Sequence, residues 1–195
     1  MKKETRDRIL DVSYQLCSTY GFWSLKVEDI LNNAGISRAT FYKYFRNTNH
    51  VVDTLFDREL NELIERIRQA VDAETEPFNR LRAFILAETT GMSKFFMSTR
   101  FDELDVLPPI PRLRMQTQFT AYAGIVKDIL VAGVNDGALE IRDMDITTRA
   151  VLSLCRDIGA LSMMEKKSDG EIHEEIEMML QLLFNGILPR RSGSM

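Results

Sequence analysis

Residues 26–45 read KVEDILNNAGISRATFYKYF, and the faces of that stretch decide the fold. Val27, Ile30, Leu31 and Ala34 recur at helical spacing, with Glu28, Asp29, Asn32 and Asn33 between them, as an amphipathic helix requires. Gly35 follows, and glycine ends a helix at least cost because it accepts a left-handed backbone. Ile36 is apolar inside the turn and is placed to plug the angle between two helices. Ser37 predicts an N-cap, its hydroxyl accepting a backbone N–H of the next turn. Residues 38–45 then predict a second helix of about two turns at ~3.6 residues per turn. Phe41 and Phe45 lie four apart and share its inward face. Arg38, Ala39, Thr40, Tyr42 and Lys43 cover the rest, a set with no carboxylate. Two cations, a hydroxyl, a methyl and a phenol suit phosphates, base edges and thymine methyls in a major groove. Two helices about a glycine-bearing turn describe a helix-turn-helix whose second helix reads.

Ile9-Leu10-Asp11, Tyr20-Gly21-Phe22, Asp29-Ile30, Ala34-Gly35-Ile36-Ser37 and Thr40-Phe41-Tyr42-Lys43-Tyr44-Phe45, in that order, resemble the DNA-binding domain of tetracycline-repressor-like (TetR family) regulators. The resemblance covers roughly residues 4–60. It implies an all-α homodimer with an N-terminal three-helix DNA-binding unit and a C-terminal ligand-binding and dimerisation domain. The DNA-contacting set expected on this chain is Lys26, Ser37, Arg38, Ala39, Thr40, Tyr42, Lys43, Tyr44 and Thr48. Two of these depart from the family's pattern. Lys26 stands where a capping Ser or Thr is usual, so the cap is weakened and a cation is offered in its place. Thr48 replaces a Lys common at a phosphate contact, and one phosphate fewer neutralised means a shallower salt dependence. Glu28 stands where some relatives carry a base reader. It either accepts from a cytosine or faces solvent near its helix N-terminus.

Charge supports the same placement. Residues 1–50 hold eight Lys/Arg against five Asp/Glu, a balance of +3; the remaining residues hold seventeen against twenty-four, −7, within a net −4. Positive charge gathers where the reading helix lies, and the acidic remainder discourages DNA from lying elsewhere. Hydrophobic residues make up 45% of the 195 and charged residues 28%, which suits a soluble domain with a real core. Cys17 and Cys155 each sit in an apolar helical pattern. They read as reduced core thiols of a cytoplasmic protein, or as a redox pair. Met1-Lys2-Lys3 meets Glu4 and Asp7 rather than an apolar run, so no signal peptide is expected. No long apolar run predicts a membrane span.

From the N-terminus, residues 2–20 predict a first helix striped by Ile9, Val12, Leu16, Cys17 and Tyr20. Lys2, Lys3, Arg6 and Arg8 crowd its start, as phosphate contacts or as a solvated end. Phe22, Trp23 and Leu25 are apolar in the connector. Asn47 predicts the cap of a long fourth helix reaching about residue 71, the natural lever between two domains. Residues 72–77 form a polar break. A fifth helix is expected over 78–91 and a sixth over 93–104, followed by a bend at Pro108, Pro109 and Pro111. A seventh spans 112–135, an eighth 145–166 capped by Asp145, and a ninth 171–187 after a turn at Asp169-Gly170. About nine helices result, in a DNA-binding domain 1–50 with its helix-turn-helix at 26–45, a linking helix 51–71, and an effector-binding and dimerisation domain 72–195.

No metal or catalytic site is expected, and no cofactor. His50 and His173 lie far apart without ligand spacing, no paired Cys/His motif for zinc occurs, and neither a phosphate loop nor a nucleophile elbow appears. His50 reads as a surface residue near DNA and His173 as solvated. Met92, Phe95, Phe96, Met97, Arg100, Phe119 and Tyr122 are either ordinary core or the lining of the effector cavity that the resemblance implies. An apolar lining would favour an apolar or aromatic small molecule. The eighth and ninth helices are apolar over wide arcs, which a homodimer would cover. Arg156 and Asp157 pair across that seam or face water. The reading is a DNA-binding transcriptional regulator and not an enzyme: a repressor released from a pseudo-palindromic double-stranded operator by its effector. The alternative is a DNA-binding regulator with no small-molecule ligand, controlled by a protein partner or by abundance.

Overall fold

A computed structural model describes residues 2–21, 24–98, 112–165 and 167–185. Among these, every regular element is a helix: α1 Lys2–Tyr20, α2 Val27–Ala34, α3 Arg38–Tyr42, α4 Thr48–Asp72, α5 Pro77–Ser98, α6 Arg112–Asn135, α7 Met144–Glu165 and α8 Asp169–Asn185. Phe22, Trp23 and the proline bend lie outside the described residues. The chain divides into two compact units, residues 1–66 with 91–119 and residues 67–90 with 120–195.

The first unit is organised around Phe41 and Phe45, both fully buried as their spacing predicts. They join Ile9, Leu10 and Cys17 of α1, Ile30 of α2, and Val51, Leu55 and Phe56 of α4 in one apolar cluster. The stripe of α1 runs differently from expectation. Leu10 and Ser13 are buried, whereas Tyr20 is exposed. Ser13 is tolerated because its hydroxyl donates to the Ile9 carbonyl at 2.7 Å, leaving no polar atom unpaired. Arg58 ties α4 to α1, donating to Asp11 at 2.6 Å.

Eight helices replace the expected nine because α5 does not stop at Gly91. That glycine is a packing residue. A Cβ there would come within 2.3 Å of a Leu63 methyl, so its absence lets α5 approach the Leu63 side chain without a break.

In the second unit, Leu81, Phe84 and Ile85 of α5, Val126, Ile129 and Leu130 of α6, Val151, Leu152 and Ile158 of α7, and Ile172, Ile176 and Leu180 of α8 are buried. Gly137, at φ +73°, turns the chain after α6 as expected. Two helix starts differ from expectation. Asp143 caps α7, its carboxylate accepting from Ile146 N–H at 2.9 Å, while Asp145 pairs with Lys127 at 3.1 Å. Asp169-Gly170 lies inside α8, because Ser168 and Glu171 cap that helix reciprocally. Glu171 Oε2 accepts from Ser168 N–H at 2.8 Å, and Ser168 Oγ accepts from Glu171 N–H at 3.4 Å.

Candidate nucleic-acid interface

The interface is built outward from the turn between α2 and α3. Gly35 adopts φ 61° and ψ 42°, the left-handed conformation that ends α2. Ile36 N–H then donates to the Leu31 carbonyl at 3.2 Å, and the Ile36 side chain packs against the apolar cluster of the first unit. Ser37 caps α3, its hydroxyl accepting from Thr40 N–H at 3.1 Å and lying 2.8 Å from the Thr40 hydroxyl. The α-helix closes at Tyr42 rather than Phe45. Lys43 and Tyr44 N–H groups switch to the carbonyls three residues back, tightening the last turn.

With Phe41 and Phe45 inward, the opposite side of α3 is presented outward. Ala39 and Lys43 are exposed, Tyr42 is 51% exposed, and Tyr44 and Thr48 are partly covered. The Tyr42 ring rests edge-on against Phe41, with centroids 5.3 Å apart, so the phenol is aimed without being enclosed. Lys26 is exposed at the start of α2 and makes no side-chain cap there, the consequence expected of a cation at that position. Arg38 is not solitary. Glu28 of α2 forms an ion pair with it, and both side chains stay mostly exposed. The Glu28 carboxyl is held below the ordinary carboxylate range, first by its own backbone N–H and then by Arg38. Glu28 thus stands beside the reading surface, a carboxylate that the composition of α3 alone does not reveal.

Two supports of this surface escaped sequence reasoning. The Arg6 guanidinium lies over the Phe45 ring, 5.8 Å from its centroid, a packing role in place of the free cation expected there. His50 Nδ1 accepts from Arg46 N–H at 3.2 Å, while the ring meets Phe45 edge-on at 5.4 Å. His50 therefore clamps the α3–α4 turn, where Asn47 caps α4 by accepting from His50 N–H at 2.9 Å. No signal in the sequence distinguishes that histidine from a surface one.

Of the residues considered for an effector cavity, Tyr122 is buried, its ring edge-on to Phe84 with centroids 5.8 Å apart. Phe119 is 51% exposed. Arg100 and the side chains of Met92, Phe95, Phe96 and Met97 lie outside the described residues. His173 is not simply solvated: Arg82 of α5 donates to its Nε2 at 2.7 Å and also pairs with Glu177. Arg156 and Asp157 are exposed. Both cysteines are buried and unpaired with each other. Burial pushes the Cys17 thiol up to about 12 and the Cys155 thiol well above its ordinary value, leaving little reactive thiolate on either. Among the described residues there is no metal-ligand cluster, and no helix long and apolar enough to cross a membrane.

Comparison with known proteins agrees with this geometry. Residues 9–55 match the family described as bacterial regulatory proteins, tetR family. The chain is 25% identical over 187 residues to the HTH-type transcriptional repressor KstR2 of Mycolicibacterium smegmatis, covering 93% of this chain and 90% of that one. It shares its fold with the fatty acid degradation regulator FadR from Bacillus halodurans, at TM-score 0.73 and 20% identity over 95% of this chain and 97% of that one. FadR from Bacillus subtilis in complex with stearoyl-CoA has the same fold, at TM-score 0.68 and 19% identity over 93% and 98% of the two chains.

Proposed function

We propose, for a chain that belongs to the TetR family of bacterial regulatory proteins, a repressor that holds a pseudo-palindromic operator as a symmetric pair and is released by a small apolar or aromatic effector. One observation carries the DNA-binding half of this reading. A short helix, pinned from behind by Phe41 and Phe45 and capped by Ser37, presents Ala39, Tyr42 and Lys43 outward. Lys26, Lys43 and Thr48 are assigned to phosphates. Arg38, Ala39, Thr40 and Tyr42 are assigned to base edges and thymine methyls, with Ser37 and Tyr44 at the margins.

A two-turn reader gains useful affinity when a second copy reads a half-site one or two helical turns away, at about 34–36 Å per turn. The dimer is assigned to α7 and α8. Met178 and Leu182 lie four apart on α8 and are 60% and 57% exposed, an apolar strip that a second copy would cover.

Residues 1–50 act as the DNA-binding domain, 51–71 as the linking helix, and 72–195 as the effector and dimer domain. The linking helix α4 supplies residues to both units and is the proposed route between effector and operator. An effector shifts the balance of dimer shapes only by its differential affinity for them. A coupling of roughly 1–3 kcal/mol changes operator affinity about 5- to 150-fold. The stearoyl-CoA bound to Bacillus subtilis FadR supports an effector with a substantial apolar part for this fold.

Gel-shift titration of purified protein against fragments of its own promoter region tests the reading. A retarded complex that Tyr42→Ala abolishes, and that some small molecule dissociates, is the expected result. A complex that no compound alters removes the switch and leaves a regulator governed by a partner or by abundance. No complex with any fragment removes the function.

A further inference from the structure

Inside the second unit, α5 carries two polar groups that no packing or DNA-binding role uses. Glu88 lies one helical turn beyond the buried Phe84 and is deep enough that burial pushes its carboxyl up to about 7. It nevertheless keeps accessible surface, as a residue does when it faces an internal space. No cation faces it among the described residues.

Beside it, Thr89 is fully buried and its hydroxyl makes no hydrogen bond of proper geometry, neither with Glu88 nor with any other group. A helical threonine has a remedy close at hand, the carbonyl four residues back. Thr90 takes it at 2.6 Å to Leu86, and Thr148 takes it at 2.8 Å to Met144. Thr89 does not, and a buried polar atom left unpaired demands an explanation.

From α7, Cys155 lies near enough to Glu88 for the carboxylate charge to push its thiol up further. One turn on, a Cβ built on the partly covered Gly159 would meet nothing within 4 Å, so space is open there. A deep carboxyl with no counter-ion, an orphaned hydroxyl and adjoining space are what an unfilled polar subsite looks like.

We propose that Glu88 and Thr89 form the polar end of a ligand site in this unit, and that its ligand is an apolar molecule bearing a single protonated nitrogen. The chemistry selects that class. An ammonium supplies the missing counter-charge to Glu88 and has a further N–H for the Thr89 oxygen, which an alcohol can do only in part. A carboxylate, phosphate or thioester head offers only acceptors to an acidic neighbour. Binding converts Glu88 from acid to carboxylate, so the pair forms with release of the Glu88 proton to solvent. The apolar body has the Phe84 and Tyr122 edges for contact. This inference rests on the reading of the chain as effector-controlled, and adds the class of effector.

Titration calorimetry of the full chain near neutral pH, in two buffers of different ionisation heat, tests it with phenylhexylamine, phenylhexanol and phenylhexanoate. The amine should bind about tenfold or more tighter than the alcohol, with fractional proton release, and the carboxylate should not bind. Glu88→Gln, nearly the same shape, should abolish proton release and erase the amine's advantage while leaving the alcohol's affinity unchanged. Thr89→Val should weaken the amine several-fold. The proposal is overturned if no probe binds, if amine and alcohol bind alike, if the carboxylate or stearoyl-CoA binds and Glu88→Gln does not alter it, or if amine binding releases no proton from the wild-type chain. Should Glu88→Gln fail to fold, Thr89→Val and proton release by wild type decide. Amine binding without any change in operator affinity leaves this site standing and removes effector control. Operator binding with no amine binding does the reverse.

Discussion

The two units keep their working residues at very different distances along the chain. In the first, the reading surface is assembled within residues 26–45: Ser37 meets Thr40 three positions on, and Arg38 meets Glu28 ten positions back. In the second, Arg82 reaches Glu177 across 95 positions, and Glu88 approaches Cys155 from another helix. A surface that must fit a duplex of fixed geometry can be encoded as a short local device, with one buried face and one exposed face. An interior site takes its shape from whichever helices happen to enclose it, so its residues leave no spacing to read.

That contrast can be broken in four ways, beginning with the strongest. Phe41→Ala should cost about 3–5 kcal/mol, because a fully buried ring holds α3 against α1, α2 and α4. Urea unfolding should show the loss, and operator binding should go with it. A cost near zero would mean that α3 is not held from behind.

Next comes Glu88. Its carboxyl stands at about 7 in the fold against an ordinary 4.5, so the folded state binds that proton more tightly than the unfolded chain does. The stability it contributes is present below the unfolded value and is lost as pH rises through the folded one, by up to about 3 kcal/mol. Urea midpoints on either side of that window should therefore fall with rising pH in wild type, and fall less in Glu88→Gln. Equal slopes would place the carboxyl in water.

Ser37→Ala should cost about 1 kcal/mol by removing the cap on Thr40 N–H, read as a lower melting temperature with weaker operator binding. Smallest in stability is Lys43→Ala, expected within about 0.5 kcal/mol of wild type because the side chain is exposed. Its signature is instead a salt slope of operator affinity reduced by about one per subunit, measured by anisotropy across salt concentrations. An unchanged slope would take Lys43 off the phosphates.

What the sequence made legible follows the same division. The positions of Gly35, Ser37, Phe41 and Phe45 were readable because each enforces its conformation through its own chemistry: a left-handed φ, a short acceptor, two rings on one face. Gly91 was misread as a stop, since a glycine that admits Leu63 and a glycine that ends a helix look identical until the neighbour is known. The cap at Ser168 was legible in principle, because Ser-x-x-Glu precedes an apolar run, and the Asp-Gly pair beside it concealed the signal. Asp11 with Arg58, Arg82 with His173, and Glu88 beside Cys155 carried no local signal. Each needs two helices whose packing is decided elsewhere in the chain.

The central claim is that the outward side of α3 reads a duplex while contributing almost nothing to folding. Tyr42→Ala tests it most directly, since that ring is half exposed yet aimed by Phe41. Thermal melting and fluorescence anisotropy on a promoter fragment should be measured on the same preparation at physiological salt. The expected result is a melting temperature within a few degrees of wild type and an operator affinity reduced about tenfold or more. Unchanged affinity in a variant that melts like wild type would contradict the claim.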